Sequence, residues 1–198
     1  DILIINTCSV RDNADKRFFG TLGALKKRKR ENPNLIMCVC GCMMQQEHMV
    51  KQIKSKYKHV SIVFGTHTLH RFPEILSGAL MNEARMITVE NSDGIIAEDM
   101  PIYREGDVKA WVSVMYGCNN FCTYCIVPYT RGKERSRLKE DILKEVKELK
   151  EKGFKEITLL GQNVNAYGND LNKGYNFADL LKEVSDIGIE RIRFVTSH

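Results

Sequence analysis

The chain has 198 residues, 43% of them apolar and 28% charged, a soluble globular mixture sized for one large or two small domains. No apolar run approaches the ~18 residues of a membrane-spanning helix, and seven cysteines without a secretory segment argue against a disulfide framework and for metal, cluster or redox chemistry in a reducing cytoplasm. The net charge of +5 is modest but uneven: "KKRKR" at 26–30 and "RGKERSR" at 131–137 suit a polyanion such as nucleic acid, the first reading equally as a solvated helix face.

The chain starts at Asp1 in "DILIINT", a short apolar run of strand type, and stops at "RFVTSH"; both ends read as cuts in a longer protein. Asp12 is placed to cap a helix whose Phe18, Leu22 and Leu25 share a face and which ends before Pro33. "NLIMCVC" is a second strand, followed by a helix carrying Met49, Val50, Ile53 and Tyr57. "VSIVFG" is a third, and Phe72, Ile75, Leu76 and Ala79 mark another helix with Gly78 near its end. Repeated strand–helix units imply a parallel sheet with helices on its faces.

Residues 90–107, "ENSDGIIAEDMPIYREGD", are acidic and lack sustained periodicity, which predicts an extended connection between domains. "KAWVSVMYG" is a strand running into a cysteine loop, and Ser136 is placed to cap a helix bearing Leu138, Ile142, Val146 and Leu149, with Gly153 past its end. "EITLLG" is a strand leading into "QNVNAYG". Asn176 caps a helix with Phe177, Leu180, Leu181, Val184 and Ile187, stopped by Gly188, and "RIRFVT" is the last strand. Three successive strands thus end in the cysteine loop, "GQNVNAYG" and "TSH". In open α/β sheets and βα-barrels such carboxyl ends converge on one mouth.

The loop "GCNNFCTYC" sets Cys118, Cys122 and Cys125 within eight residues, and no cysteine or histidine follows except His198. A structural zinc site closes a tetrahedron with four protein ligands. Three leave one metal position open, and a C-x₃-C-x₂-C loop can wrap three corners of a [4Fe–4S] cube. Cys38, Cys40 and Cys42 alternate in "CVCGC", which on a strand puts them on one face. With Cys8 they make a four-thiolate zinc set the alternative, against the plainer reading of Cys38 and Cys40 as small buried apolar residues. His48, His59, His67 and His70 show no ligand spacing with the cysteines and receive no role.

"CNNFCTYC" matches the C-x₃-C-x-aromatic-C signature and resembles radical S-adenosylmethionine enzymes. Together with "GCNNFCTYCIVPYTRGKERSR", "LLGQNVNAYG", "FVTSH", "NTCSVRDNAD" and "CGCMMQ", in that family's order, the chain is similar to the MiaB family of tRNA methylthiotransferases. The resemblance implies an α/β fold: an N-terminal flavodoxin-like parallel-sheet domain over 1–90, a linker over 91–106, and from 107 to 198 the first part of a radical-SAM partial βα-barrel. It implies two [4Fe–4S] clusters and S-adenosylmethionine. Cys118, Cys122 and Cys125 would hold the cluster that yields a 5′-deoxyadenosyl radical. Cys8 and Cys42 would hold a sulfur-donating auxiliary cluster, whose third ligand, from an early Y-G-C-x-M-N segment, has no counterpart here.

By the same resemblance Tyr124 lies near the adenine, Gln162 and Asn163 near the methionine amine, and Thr196 and Ser197 near the ribose or carboxylate. Arg131, Lys133, Arg135 and Arg137 would contact phosphates of tRNA, orienting it without reading its sequence. The implied reaction replaces the C2 hydrogen of isopentenyl-adenosine in the anticodon loop with a methylthio group, in the cytoplasm and away from membranes, with electrons from flavodoxin or a similar reductant. The 198 residues alone are expected to be inactive on tRNA. The alternatives are a methylthiotransferase acting on threonylcarbamoyl-adenosine or a ribosomal protein, and a non-catalytic zinc-stabilised RNA-binding module.

Overall fold

The computed structural model describes residues 1–198 except 10, 11, 83, 91–95, 97, 99, 101, 105, 172, 173 and 198, and without the side chains of Asp12 and Asn13. The expected Asp12 cap, half of the acidic connection and His198 therefore lie outside the described residues. Two compact units form, Asp1–Ile95 with Cys122–Arg131, and Ile96–Phe121 with Gly132–His198. Among the described residues no helix is long and apolar enough to cross a membrane.

The first unit alternates β1 (Ile2–Thr7), α1 (Asp12–Glu31), β2 (Ile36–Gly41), α2 (Glu47–Lys56), β3 (Ile62–Phe64), α3 (Phe72–Asn82) and β4 (Met86–Thr88), and adds the short α4 (Val127–Arg131). Its four strands make a parallel sheet in the order β1-β2-β3-β4. Strand side chains alternate between faces. Val39 and Val63 pack with Phe18 and Leu22 of α1 and Met49 and Ile53 of α2, whereas Cys38, Cys40, Ile62 and Phe64 pack with Ile75 and Ala79 of α3. Covered on both sides, β2 and β3 read as unbroken apolar runs rather than alternating ones. β4 escaped the sequence reading because three half-buried residues carry no period. Arg85, just before it, closes α2 by donating from Nη1 to the Lys54 carbonyl at 2.9 Å and from Nη2 to that of Ile53 at 2.9 Å.

The second unit holds β5 (Lys109–Ser113), β6 (Met115–Tyr116), β7 (Arg135–Ser136), α5 (Lys139–Glu151), β8 (Glu156–Leu160), α6 (Phe177–Asp186) and β9 (Arg191–Phe194). β5, β8 and β9 form a parallel sheet with β8 central, and Ala110, Val112, Ile157 and Leu159 meet Ile142, Val146, Leu180 and Val184 of the two helices. The single strand expected over 109–117 is two. The Val114 N–H still donates to Leu160 at 2.8 Å, but Met115 and Tyr116 then turn to pair antiparallel with β7. An apolar run does not reveal where its ladder changes partner. Asn176 caps α6 as expected, accepting from the Ala178 and Asp179 N–H groups at 2.8 and 3.2 Å while Asp179 accepts from Asn176 N at 3.0 Å. Ser136 does not cap α5. Its hydroxyl donates to Asp170 at 2.6 Å and accepts from Gly168 N at 2.9 Å, and Leu138 occupies the cap position with no side-chain bond.

Candidate metal centre

In the second unit the carboxyl ends of β5, β8 and β9 lie side by side, with Ser113 opposite Leu160 and Leu159 opposite Phe194. The segments that follow are stitched together. Gln162 Oε1 accepts from Gly117 N at 2.6 Å, fastening the post-β8 loop to the start of the cysteine loop. The Thr196 carbonyl accepts from Val164 N at 3.0 Å, fastening the post-β9 segment to the same loop. The expected convergence of three strand ends is thus built from hydrogen bonds.

The base of the cysteine loop is clamped as firmly. Above the β6–β7 pair, Cys118 N donates to the Gly132 carbonyl at 3.2 Å. Asn119 and Glu134 then bond reciprocally: Asn119 N donates to Glu134 Oε1 at 3.2 Å, and Glu134 N donates to Asn119 Oδ1 at 3.1 Å. Sequence reasoning missed both residues, because fifteen positions separate them and only the antiparallel pairing brings them together. Gly117 sits at φ +77°, where an added Cβ would run into the Lys133 carbonyl. Gly117→Ala should therefore cost at least about 1–3 kcal/mol in backbone strain alone and pull Cys118 out of register. A lowered Tm together with poor iron uptake is the expected result; wild-type iron loading would show that the loop tolerates the shift.

Cys118 is buried, Cys122 and Cys125 are partly exposed, and none of the three is in a disulfide. Phe121 takes a left-handed φ of 44°, and Cys125 N donates to the Cys122 carbonyl at 2.9 Å, closing a tight turn around the second and third cysteines. Among the described residues no three His, Cys, Asp or Glu side chains are gathered as a metal-ready group. The donor set still has the right chemistry for a thiolate-held cluster with an open position: three unoxidised thiols and no fourth beside them in the loop. A second observation agrees. Asn163, only 7% exposed, has its Oδ1 buried with no partner among the described residues, and a buried polar atom left unpaired calls for a ligand or ordered water. Tyr124 is 93% exposed, so packing beside the loop is not its role and its ring faces solvent. Ser197, next to the tethered Thr196, is also exposed.

In the first unit Thr7 pairs with Gly41, so the next residues, Cys8 and Cys42, leave the carboxyl ends of neighbouring strands together. Gln46 Nε2 donates to Ser9 Oγ at 2.9 Å and ties the two exits. Cys8 is exposed and Cys42 buried. Gly41, at φ +102°, turns Cys42 out of the strand into a 3₁₀ turn, so the "CVCGC" alternation does not reach it. Cys38 and Cys40 remain in the α3 core. Burial pushes both thiols up to about 11, with Cys40 adding to the effect on Cys38, and a thiol held protonated is a poor metal ligand. Their place inside the paired strand, facing the α3 core, separates them from Cys8 and Cys42 at the strand exits and counts against the four-thiolate zinc alternative. Two thiols remain at this edge, one short of a three-ligand set.

The basic run divides. Lys133 is exposed, and Arg131 and Arg135 are half-buried. Arg137, expected to contact phosphate, is 8% exposed and bonded within its own unit. Its Nε donates to Glu98 Oε1, and its Nη1 to Glu145 Oε2 and to the Ser113 carbonyl, each at 2.7 Å. Burial pulls its guanidinium pKa down, but the two carboxylates outweigh it and hold it above the ordinary arginine range. These bonds make Arg137 a strut within its unit.

The radical SAM superfamily model matches residues 112–198, and the model of the uncharacterized protein family UPF0004 matches residues 1–65. Over 100% of its length the chain is 58% identical to the tRNA-2-methylthio-N(6)-dimethylallyladenosine synthase of Acetivibrio thermocellus, covering 42% of that protein. It is 55% identical to the synthase of the same name from Bacillus cytotoxicus and 53% identical to that of Clostridioides difficile, covering 39% and 42% of them. The chain spans about two-fifths of the length of these curated relatives. With identity above one half along its whole length and matches to both family models, the chain belongs to the MiaB family within the radical SAM superfamily.

Proposed function

We propose that a protein carrying this chain at the length of those relatives is a tRNA methylthiotransferase that replaces the C2 hydrogen of N6-isopentenyl-adenosine beside the anticodon with a methylthio group. The observation that carries the reading is the three-thiol loop, clamped at its base by Gly117, Asn119 and Glu134, in a chain 53–58% identical to proteins of that name. When bound, a [4Fe–4S] cluster with S-adenosylmethionine on its open iron supplies reductive cleavage and hydrogen abstraction. Cys118, Cys122 and Cys125 hold it. Asn163 offers a buried acceptor for the cofactor's amine, and the exposed ring of Tyr124 offers a flat face for its adenine. Gln162 has committed its carbonyl oxygen to Gly117, so it acts first as a positioning residue for the loop. Ser197 reaches the ribose or carboxylate. Cys8 and Cys42 supply two ligands of an auxiliary cluster.

The division into a first domain over 1–90, a connection over 91–106 and a radical SAM domain from 107 is supported by the family matches at 1–65 and 112–198. Within it, Cys122–Arg131 packs with the first unit. A flavodoxin-type reductant and a cytoplasmic location follow from the chemistry proposed. The test is anaerobic incubation of the full-length protein with isopentenylated tRNA, S-adenosylmethionine and a reductant. Methylthiolation of that tRNA, and not of unmodified or threonylcarbamoylated tRNA, is expected. Transfer to a ribosomal protein instead would replace the reading.

The basic run gives a second expectation. Converting Arg131, Lys133 and Arg135 together to Ala should weaken tRNA binding and reduce the log–log salt slope by roughly 0.7–0.9 for each phosphate that is no longer neutralised. An unchanged slope would return these residues to an ordinary solvated surface.

A further inference from the structure

Helix α1 is longer than its core packing requires. Its apolar face meets the sheet through Phe18, Phe19 and Leu22. The chain after α2 meets it at the same level, with Tyr57 stacked on Phe19 at 5.4 Å and His59 Nε2 2.8 Å from the Leu22 carbonyl. Beyond Leu22 only Leu25 is half-buried among apolar residues, yet the helix continues to Glu31. These last nine residues extend about 13 Å further and contain all of "KKRKR".

The overhang carries a cost and little internal compensation. Lys26 and Arg30 are like charges at i,i+4, a spacing at which they repel. The ion pair of Lys27 with Glu31 is exposed at 3.8 Å and has Lys on the amino-terminal side, the weaker orientation. A cation at a helix carboxyl end answers the helix dipole, but Lys29 and Arg85 already do this for α1 and α2. Lys29 Nζ donates to the Pro33 and Leu35 carbonyls at 2.7 and 2.5 Å, and Arg85 closes the end of α2. The surplus is Lys26, Arg28 and Arg30 on α1, and Lys54, Lys56 and Lys58 at the end of α2. All six are exposed, with no carboxylate partner among the described residues. In a parallel βα unit the helix carboxyl ends lie at the amino edge of the strands. The six cations therefore share one edge of the first unit, opposite the edge where Cys8 and Cys42 emerge.

From this placement we propose that the α1 overhang and the end of α2 form a second tRNA-binding surface, one that grips the phosphate backbone away from the reacting base. It rests on the reading of the protein as acting on tRNA, and adds a grip that the cysteine loop does not supply. RNA suits the surface better than an anionic membrane. An interfacial helix needs an apolar face to insert among lipids, and the overhang has only Leu25, turned partly inward. The surface reads no sequence, because its flexible cations pair with phosphates, and Tyr57 between Lys56 and Lys58 is already stacked on Phe19.

The experiment uses the full-length protein and replaces Lys26, Arg28 and Arg30 with Gln, which keeps helix propensity and leaves Lys29 in place. Equilibrium binding of tRNA is followed across a salt series, beside the Arg131, Lys133 and Arg135 variant and the wild type. With Tm and iron content unchanged, the slope should fall by roughly 2–3, about 0.7–0.9 for each phosphate released. An unchanged slope in the overhang variant, alongside a reduced one in the Arg131 variant, sinks the second surface and spares the proposed function. Wild-type protein that ignores tRNA sinks both. Wild-type binding to phosphatidylserine vesicles that the overhang substitutions abolish, with tRNA binding untouched, makes the surface a membrane contact and overturns the proposal.

Discussion

Cys122→Ala should strip the cysteine loop of its iron. After anaerobic reconstitution the 198-residue chain is expected to carry about four irons and four sulfides, one [4Fe–4S] cluster. Cys118→Ala, Cys122→Ala or Cys125→Ala should each leave close to none, with the visible absorption of the cluster lost in parallel. The reason is arithmetic: two thiolates remain for a cluster that takes three from the loop, and no other cysteine lies within it. Cys38→Ala tests the opposite side. Its sulfur packs among Ile62, Phe64 and Ile75 and stays a thiol, so its removal should cost about 1 kcal/mol of stability and leave iron unchanged. Cys8→Ala and Cys42→Ala should likewise leave the four irons of the loop in place. Loss of iron from the Cys38 variant with a full complement in the Cys122 variant would reverse the assignment of the ligands.

The residues that sequence reasoning placed correctly are those whose partners lie close along the chain. Asn176 and Asp179, three apart, form the capping box that their spacing signals. The helix faces of α1, α2, α3 and α6 follow from their period, as does that of α5 apart from Leu138, which is exposed at the cap position, and the ligand-rich strand ends follow from parallel topology. The misplaced residues owe their positions to distant partners. Ser136 resembles a cap until Asp170, thirty-four residues on, takes its hydroxyl. Cys42 belongs by alternation with Cys38 and Cys40, and one glycine at positive φ, forced by the approach of the Thr7 carbonyl, removes it. Short elements such as β4 and α4 have too few residues to show a period. Arg137 is the clearest case, because a basic residue in a basic run carries no local sign that it is buried.

Arg137→Met should therefore destabilise the second unit without changing how the protein responds to salt when it binds tRNA. The substitution leaves Glu98 without its two bonds and the Ser113 carbonyl without its donor, whereas Glu145 keeps Arg104. Breaking a buried pair by removing one partner costs about 3–5 kcal/mol. The lower end applies here, since Glu98 is only three-quarters covered and Glu145 stays paired. Arg137→Lys restores the charge but not the planar fork that spans Glu98, Glu145 and Ser113, so it should recover only part of the loss. The guanidinium pKa is raised on folding. Its contribution is complete below the ordinary arginine range and fades only above it, so the stability difference should be flat across neutral pH. Denaturant unfolding at several pH values, with the tRNA salt slope measured on the same preparations, separates a strut from a phosphate contact. A variant with native stability and a reduced slope would return Arg137 to the RNA surface. The geometry predicts the reverse, because four of the five guanidinium N–H groups are committed inside the unit and the side chain is buried, so it is not presented to a phosphate.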